Sequence, residues 1–222
     1  MEHGTAGTDY AYGFWGAVIF NSLLFIFFAF SFARPKDARD WRSFGAFAAF
    51  VIALFTEMYG IPLTIYVLAP WLQKAYPGID LFGHEAGHLW YTVFGLKGDP
   101  HSGLWHIFSN LLMVGGFWII ASAWRELYVF QKMGKLATEG WYARMRHPQY
   151  LGFVLVLLGF LVQWPTLLTL LMFPVLVWRY AKLAKIEEKE IEAQFGDEYR
   201  LWAARTPGFF PKFITAPAPA AS

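Results

Sequence analysis

The sequence contains no cysteine and little charge. Because none of its 222 residues is Cys, disulfides, thiolate metal sites and cysteine nucleophiles are excluded. Charged residues make up only 15% of the chain, whereas hydrophobic residues make up 57%, which sets it apart from an ordinary soluble domain. The net charge of +2 is small, and no basic run with interleaved aromatics indicates a nucleic-acid partner.

Apolar blocks occupy most of the chain and predict membrane helices. Five of them can be delimited: 14–33, 44–68, 106–124, 150–163 and 166–180. Glu57, Gly60 and Pro62 interrupt the second block, where a kink is expected. Trp164 and Pro165 join the last two blocks as a hairpin, and the last helix is expected to continue into charged sequence. The predicted fold is an all-α polytopic membrane bundle of about five transmembrane helices with a C-terminal helical hairpin.

Lys and Arg alternate between the connecting segments, and cytoplasmic loops favour these residues. The first thirteen residues have none, 34–42 has four, 70–105 has two, 125–146 has five, and the region from Arg179 onward has seven. This pattern predicts the N-terminus outside and the C-terminus in the cytoplasm. Without a basic n-region, the first block is expected to be a retained anchor rather than a cleaved signal peptide.

The same pattern divides the chain into five parts. These are a polar N-terminus (1–13), two N-terminal spans (14–69), an outer loop containing His residues (70–105), a core (106–206) and a Pro/Ala-rich tail (207–222). The core contains the third span, a basic connector, the hairpin and the helix that continues from it. We expect its chemistry to lie at the cytoplasmic end.

Polar residues are concentrated at the start of the fourth span. Pro148 suits the first turn of a helix, so Arg146 and His147 lie at a helix N-terminus that favours anions. Because the hairpin is antiparallel, Glu187 and Glu188 should lie close to them. Two interpretations remain open: a solvated charged surface and a site for a zwitterionic ligand.

The spacing of these residues resembles the integral-membrane methyltransferases. That group includes isoprenylcysteine carboxyl methyltransferase, phospholipid N-methyltransferases and bacterial thiol methyltransferases. The residues that carry the resemblance lie between 125 and 211: Leu136, Ala137, Thr138, Gly140, Tyr142, Arg146, His147, Pro148, Tyr150, Gly152, Glu187, Glu188, Ile191, Phe195, Gly196, Tyr199, Pro207, Phe210 and Pro211. Two features depart from the family: Trp141 stands where Pro is usual, and the loop before the third span is long.

The resemblance implies S-adenosylmethionine as the methyl donor. It places the donor's carboxylate against Arg146 and His147, and its amine or ribose hydroxyls against Glu187. Tyr142 and Tyr150 would pack on the adenine or face the sulfonium. Candidate cofactor-binding residues are therefore Tyr142, Arg146, His147, Tyr150, Glu187, Gly115 and Gly116. The two glycines would permit close approach of the cofactor or, alternatively, helix packing.

The candidate catalytic residues are Glu188, Arg146 and Glu57. Glu188 would orient the acceptor or take its proton. The acceptor is expected to be lipophilic or small and membrane-permeant, entering from the bilayer to an active site that faces the cytoplasm. The alternative enzyme is a nicotinamide-dependent reductase related to the sterol reductases.

Glu57 lies near the middle of the second span, where an ionisable group is costly and calls for an explanation. It would bind the polar group of the acceptor, or it would be a protonated Glu bonded to a neighbouring helix. Asn21, Asn110 and a carbonyl freed by Pro62 are its candidate partners. The sequence favours neither interpretation.

The outer loop contains His84-Glu85-x-x-His88, the pattern of zinc peptidases. His101 and His106 follow in the same segment and would supply further ligands. A protease, a metal-handling protein acting on the outer face and a structural loop are the three interpretations. Because the sequence around this pattern does not predict the long helix that usually carries the peptidase motif, the main prediction includes no metal.

Overall fold

The computed structural model describes residues 12–33, 38–78, 80–81, 87–95, 101 and 103–211. Within these ranges the regular elements are all helices, which confirms the prediction of an all-α fold. In chain order they are α1 (Trp15–Ala33), α2 (Ala38–Phe55), α3 (Leu63–Ala75), α4 (Leu89–Phe94), α5 (Leu104–Lys132), α6 (Pro148–Gln163), α7 (Leu167–Phe195) and α8 (Asp197–Ala203).

The second apolar block is broken where its sequence predicts a kink. A π-helical turn, Thr56–Gly60, follows α2 directly, and α3 begins after Pro62 at an angle of 54° to the preceding helix. Pro62 lacks a backbone donor, so α2 cannot continue through it with regular hydrogen bonds. Glu57 lies within the π turn, and its side chain is buried.

Glycines bring α5 and α6 into close contact. A Cβ on Gly116 would lie 2.7 Å from the carbonyl oxygen of Gly152, and one on Gly152 would lie 2.6 Å from Ile120. Gly159 meets α5 two turns further along, where a Cβ would lie 2.6 Å from Met113. Small residues at such crossings let helix backbones approach in membranes, where dispersion contacts replace the hydrophobic effect.

An aromatic core holds four helices together. Phe25 of α1 lies 5.6 Å from Phe55, 6.2 Å from Phe117 and 5.1 Å from Phe160, measured between ring centroids. These three neighbours belong to α2, α5 and α6 respectively. Offset and edge-to-face pairs of this kind add to the burial of apolar area. They fix α1 against the part of the bundle that carries the site.

The last two long helices form the predicted hairpin. The Oγ1 of Thr166 accepts a hydrogen bond from the backbone N–H of Thr169 and so caps the start of α7. α7 then runs for 29 residues without a break, although it contains Pro174. The uninterrupted passage from apolar to charged sequence is confirmed.

The chain is a membrane protein with apolar outward faces. Two helices, Leu104–Lys132 and Leu167–Phe195, are long and apolar enough to cross a membrane, and the bent pair from 44 to 75 would be a third span. Trp15–Ser31 and Pro148–Gln163 are apolar but shorter. The helical membrane bundle is therefore confirmed, while the count of five spans and their orientation stay predictions.

Candidate functional site

A cleft of about 380 Å³ lies where α5, the connector after it, the start of α6 and the charged half of α7 meet. This volume is within the range of small-molecule sites. Its lining is formed by Trp124, Leu127, Gln131, Gly134, Lys135, Leu136, Ala137, Tyr142, Arg146, His147, Gln149, Glu187, Glu190, Ile191, Gln194, Phe195 and Trp202.

The backbone before α6 is paired with a later segment of the chain. The N–H of Arg146 donates to the carbonyl of Pro207 at 2.8 Å, and the N–H of His147 donates to Gly208 at 3.0 Å. Phe209 packs on the His147 ring with a centroid separation of 5.4 Å. The two backbone donors that directly precede the helix are therefore occupied.

Glu188 is held by the two residues that precede α6. Its Oε1 lies 2.9 Å from Nε of Arg146 and 3.0 Å from Nε2 of His147. Arg146 also donates from Nη1 to the carbonyl of Ala203 at 3.0 Å. Glu188 itself is outside the cleft lining. This geometry suits a residue that orients Arg146 and His147.

Glu187, in contrast, reaches the cleft. Its carboxylate accepts a hydrogen bond from the hydroxyl of Tyr150, and its Oε2 lies 3.8 Å from Nδ1 of His147. Successive residues of a helix project about 100° apart, so the two adjacent acids face different partners. The predicted approach of His147 to both glutamates, and of Arg146 to Glu188, is therefore present across the hairpin.

Tyr142 lines the cleft from a 3-10 turn, Gly140–Ala143, in the connector. Its hydroxyl donates to Oε1 of Gln149 at 3.2 Å, and its carbonyl accepts from Nε1 of Trp202 at 3.1 Å. Burial raises the pKa of the Tyr142 phenol, and the charges of Glu187 and Glu126 raise it further. The residue is therefore a neutral donor at physiological pH.

His147 is almost fully enclosed, with 3% of its side chain exposed. Burial lowers its pKa, whereas the hydrogen bond to Glu188 opposes that shift. A neutral ring presents one N–H and one lone pair. Donation from Nε2 to Glu188 would leave Nδ1 as the acceptor on the side of Glu187.

The sequence pattern did not single out several polar lining residues. Glu190 and Gln194 lie three and seven residues after Glu187, which places all three on one face of α7. Their helical spacing is the signal that would have identified them. Gln131 and Lys135 line the cleft from the end of α5 and the residues after it, and no spacing in the sequence relates them to the hairpin.

Three of the predicted cofactor-binding residues lie outside this cleft. Gly116 lies in the contact with Gly152, and a Cβ on Gly115 would meet nothing within 4 Å. Gly116 therefore fits the alternative stated for these glycines, which is helix packing. Tyr150 is also outside the lining and contacts it through Glu187.

Glu57 is at the opposite end of α6 from the cleft. Its Oε2 accepts the backbone N–H of Thr64 at 2.8 Å, and it shares a small cavity with Trp164 and Pro165 of the hairpin turn. The 16 residues of α6 separate that turn from His147 by about 24 Å. The geometry does not bring Glu57 to the predicted cofactor. Its observed partner, the N–H of Thr64, is not one of the three partners expected in the structural interpretation.

The His pattern of the loop before α5 falls only partly within the described residues. His84 lies outside the described residues. His88 is buried, with Nδ1 3.2 Å from the carbonyl of Gln163, and its ring centroid is 4.7 Å from that of His101. Over the described ranges, no group of three His, Cys, Asp or Glu side chains is arranged to hold a metal ion.

Known proteins resemble the part of the chain that forms the cleft. Residues 104–198 match the family model described as phospholipid methyltransferase. The protein-S-isoprenylcysteine O-methyltransferase B of Arabidopsis thaliana is 38% identical over 78 residues, which is 35% of this chain and 40% of that protein. The protein-S-isoprenylcysteine O-methyltransferase of Schizosaccharomyces pombe is 31% identical over 77 residues, covering 34% of this chain and 33% of that protein.

These similarities confirm the predicted resemblance to the integral-membrane methyltransferases. The chain matches less than half the length of either relative. No solved structure matches the chain.

Proposed function

We propose, on the premise that residues 104–198 belong to the integral-membrane methyltransferase family, that this chain moves a methyl group from S-adenosylmethionine to a lipophilic or small membrane-permeant acceptor. The observation that carries the proposal is the cleft of about 380 Å³. It sets Arg146 and His147 opposite an acidic face of α7 that contains Glu187. A ligand with both an anionic and a cationic end fits this arrangement.

The Arg146 side chain is suited to the donor's carboxylate. Its Nε lies 2.9 Å from Oε1 of Glu188, and its Nη1 donates to the carbonyl of Ala203. A guanidinium held by these two neighbours loses little further freedom when it binds an anion. Glu188 thereby acts as a positioning residue, in place of the contact with the acceptor that the resemblance implies for it.

The acidic face of α7 is suited to the other polar groups of the donor. Glu187, Glu190 and Gln194 line the same side of the cleft. A carboxylate accepts hydrogen bonds from an amine or from a pair of ribose hydroxyls, and charged acceptors form the stronger bonds. Tyr142, a neutral donor, faces the same space.

The remaining walls are suited to the adenine ring. Apolar and aromatic side chains form them: Trp124, Leu136, Ala137, Ile191, Phe195 and Trp202. The buried Nε1 of Trp124 has no hydrogen-bond acceptor among the described residues. Because a buried donor without a partner costs about 1–3 kcal/mol, a ligand that brings an acceptor to Trp124 would remove that cost.

S-adenosylmethionine supplies an electrophilic methyl group on a sulfonium. Methyl transfer is an in-line displacement, so the protein contributes mainly alignment and exclusion of water. The acceptor, a carboxylate, an amine or a thiol, would enter from the bilayer, while the soluble donor enters from the aqueous end. Among these groups the activity named for the two relatives favours a carboxylate.

The cleft is proposed to face the cytoplasm, because the segment 125–146 and the region after 178 are rich in Lys and Arg.

Cysteine labelling tests this orientation, and because the chain has no native Cys, each introduced Cys is the only one that can react. Exposed Lys132 is the last residue of α5, and exposed Gln73 lies near the end of α3. In spheroplasts or inside-out vesicles, K132C should react with an impermeant maleimide only from the cytoplasmic side and Q73C only from the other side. The reverse pattern would overturn the orientation.

Calorimetric titration of the detergent-solubilised protein with S-adenosylhomocysteine tests the donor. Glu187→Gln and Arg146→Gln should each weaken binding by about 10- to 100-fold, because each removes a charge-assisted hydrogen bond of about 1.5–3 kcal/mol. Glu198→Gln is the matched control, since Glu198 is an exposed acid on α8 outside the cleft lining. Binding that is absent in the wild type, or equal in all four proteins, would refute the proposal.

A titration with the reduced dinucleotide NADPH addresses the reductase alternative. Lys135 and Arg146 are the cations that line the cleft, and one of them is already paired with Glu188. A ligand with several phosphates requires more positive charge. We expect no binding of NADPH at concentrations that saturate the site with S-adenosylhomocysteine.

A further inference from the structure

One face of α5 contacts the turn that carries Tyr142. Trp118, Ser122 and Glu126 follow one another at intervals of four residues, so they lie along one side of the helix. Each of them contacts Trp141, the second residue of the 3-10 turn Gly140–Ala143. These four residues are called the Trp141 clasp below.

The clasp consists of two hydrogen bonds and a ring contact. Oε2 of Glu126 accepts the backbone N–H of Trp141 at 2.8 Å, and Oγ of Ser122 accepts its indole N–H at 2.8 Å. The rings of Trp118 and Trp141 meet edge to face at 5.5 Å. The bond to Glu126 is charge-assisted and therefore the strongest of these contacts.

Gly140 shows how closely the turn approaches this carboxylate. Its φ is +55°, a conformation that L side chains rarely adopt, and a Cβ there would overlap the carboxylate of Glu126. The backbone of the turn therefore rests directly on the α5 side chain. Any displacement of Glu126 would shift the turn as a whole.

Tyr142 is the next residue, and its hydroxyl points towards Gln149 in the wall of the cleft. The charge of Glu126 contributes to the raised pKa of Tyr142, so the two side chains also interact electrostatically. The position of this wall depends on the clasp on one side and on the bonds to Gln149 and Trp202 on the other.

We propose that Glu126 is a positioning residue of the ligand site, which acts through Trp141 to hold Tyr142 in the wall of the cleft. The inference rests on the proposed function for the identity of the ligand, and on the geometry of the clasp for the position of Tyr142.

The test compares Glu126→Leu, Glu126→Gln and Trp141→Phe in the full-length, detergent-solubilised protein. S-adenosylhomocysteine is the probe, and Kd is measured by calorimetry well below the unfolding temperature. Glu126→Leu should raise Kd about tenfold, because it removes a charge-assisted bond. Glu126→Gln keeps an acceptor oxygen and should stay within about threefold of the wild type.

Trp141→Phe keeps a ring against Trp118 but loses the bond to Ser122, and should raise Kd about threefold, the loss of one neutral hydrogen bond. This milder change keeps the test valid if Glu126→Leu does not fold. Glu139→Leu is the matched control, since Glu139 is exposed, adjoins the same turn and makes no side-chain cap. It should bind as the wild type does.

Hydrogen–deuterium exchange without ligand separates this inference from the proposed function. Residues 139–146 should exchange faster in Glu126→Leu than in Glu139→Leu, whether or not the wild type binds S-adenosylhomocysteine. If the wild type fails to bind, the proposed function is wrong and the exchange result alone decides the positioning role. Unchanged exchange in Glu126→Leu, or a Glu126→Gln protein as impaired as Glu126→Leu, would overturn the inference.

Discussion

Gly116 and Gly115 are adjacent in α5, yet their surroundings predict opposite responses to the same substitution. A Cβ on Gly116 would lie 2.7 Å from the carbonyl oxygen of Gly152 and 2.8 Å from Cγ2 of Val156, whereas a Cβ on Gly115 would meet nothing within 4 Å. Gly116→Ala must therefore move α5 away from α6. Gly115→Ala changes only the intrinsic preference for helix.

The two effects can be estimated separately. Replacing Gly with Ala inside a helix stabilises it by up to about 1 kcal/mol, and overpacking of a tight contact costs about 1–3 kcal/mol. Gly115→Ala should be neutral or slightly stabilising, and Gly116→Ala should be destabilising by about 1–2 kcal/mol. For a chain of this length each kcal/mol corresponds to about 2–4 °C in Tm.

The assay is thermal unfolding of both variants in the same detergent, with S-adenosylhomocysteine affinity measured at low temperature. Gly116→Ala should unfold several degrees below Gly115→Ala, and both should bind the ligand within about twofold of the wild type, because neither glycine lines the cleft. Equal unfolding temperatures would refute the packing argument. Weakened binding at an unchanged Tm would favour the alternative, close approach of the cofactor.

The remaining predictions concern three buried groups. Because burial lowers the pKa of His147, the unfolded chain binds more protons below about pH 6.5, so the free energy of unfolding should fall as the pH drops through that region. His147→Gln should flatten this part of the curve of Tm against pH, and an equally steep curve would contradict it. Glu57→Leu leaves the N–H of Thr64 without an acceptor and should lower the free energy of unfolding by about 1–3 kcal/mol. Glu57→Gln keeps an acceptor oxygen and should lower Tm far less. An equal loss of Tm in the two variants would contradict the role of this hydrogen bond. Trp202→Phe removes the indole N–H that donates to the Tyr142 carbonyl, so it should lower the free energy of unfolding by about 1 kcal/mol. The measurement is Tm, and an unchanged Tm would show that this bond does not stabilise the fold.

The hairpin was predictable because its determinants are local. Trp164 and Pro165 stop one apolar helix, and Thr166 caps the next. An antiparallel pair then brings its two charged ends together without reference to the rest of the chain. The contacts of Glu187 and Glu188 with His147, the residue before α6, follow from that alone.

Contacts between distant segments were not predictable in this way. Pairing of Arg146 and His147 with Pro207 and Gly208 depends on where the chain passes after α8, and no periodicity encodes that path. The same holds for Glu126, whose partner is fifteen residues away across an irregular connector. The number of spans is undetermined for a related reason, since helices shorter than a bilayer cross it only with help from their neighbours.

The balance of charge at the cleft also bears on the ligand. Glu187 and Glu190 line it together with Lys135 and Arg146, and Arg146 is already paired with Glu188, which lies outside the lining. With His147 neutral and the charge of Arg146 offset by Glu188, the two carboxylates of the lining outweigh the remaining cation, Lys135. A donor with a sulfonium, an amine and one carboxylate is a net cation and complements this field, whereas a phosphate-rich dinucleotide is repelled by it.

Loss of the methyl group removes the sulfonium charge, so the negative field of the cleft favours S-adenosylmethionine over S-adenosylhomocysteine. We therefore expect S-adenosylmethionine to bind more tightly than S-adenosylhomocysteine at low salt, and this preference should shrink as ionic strength rises.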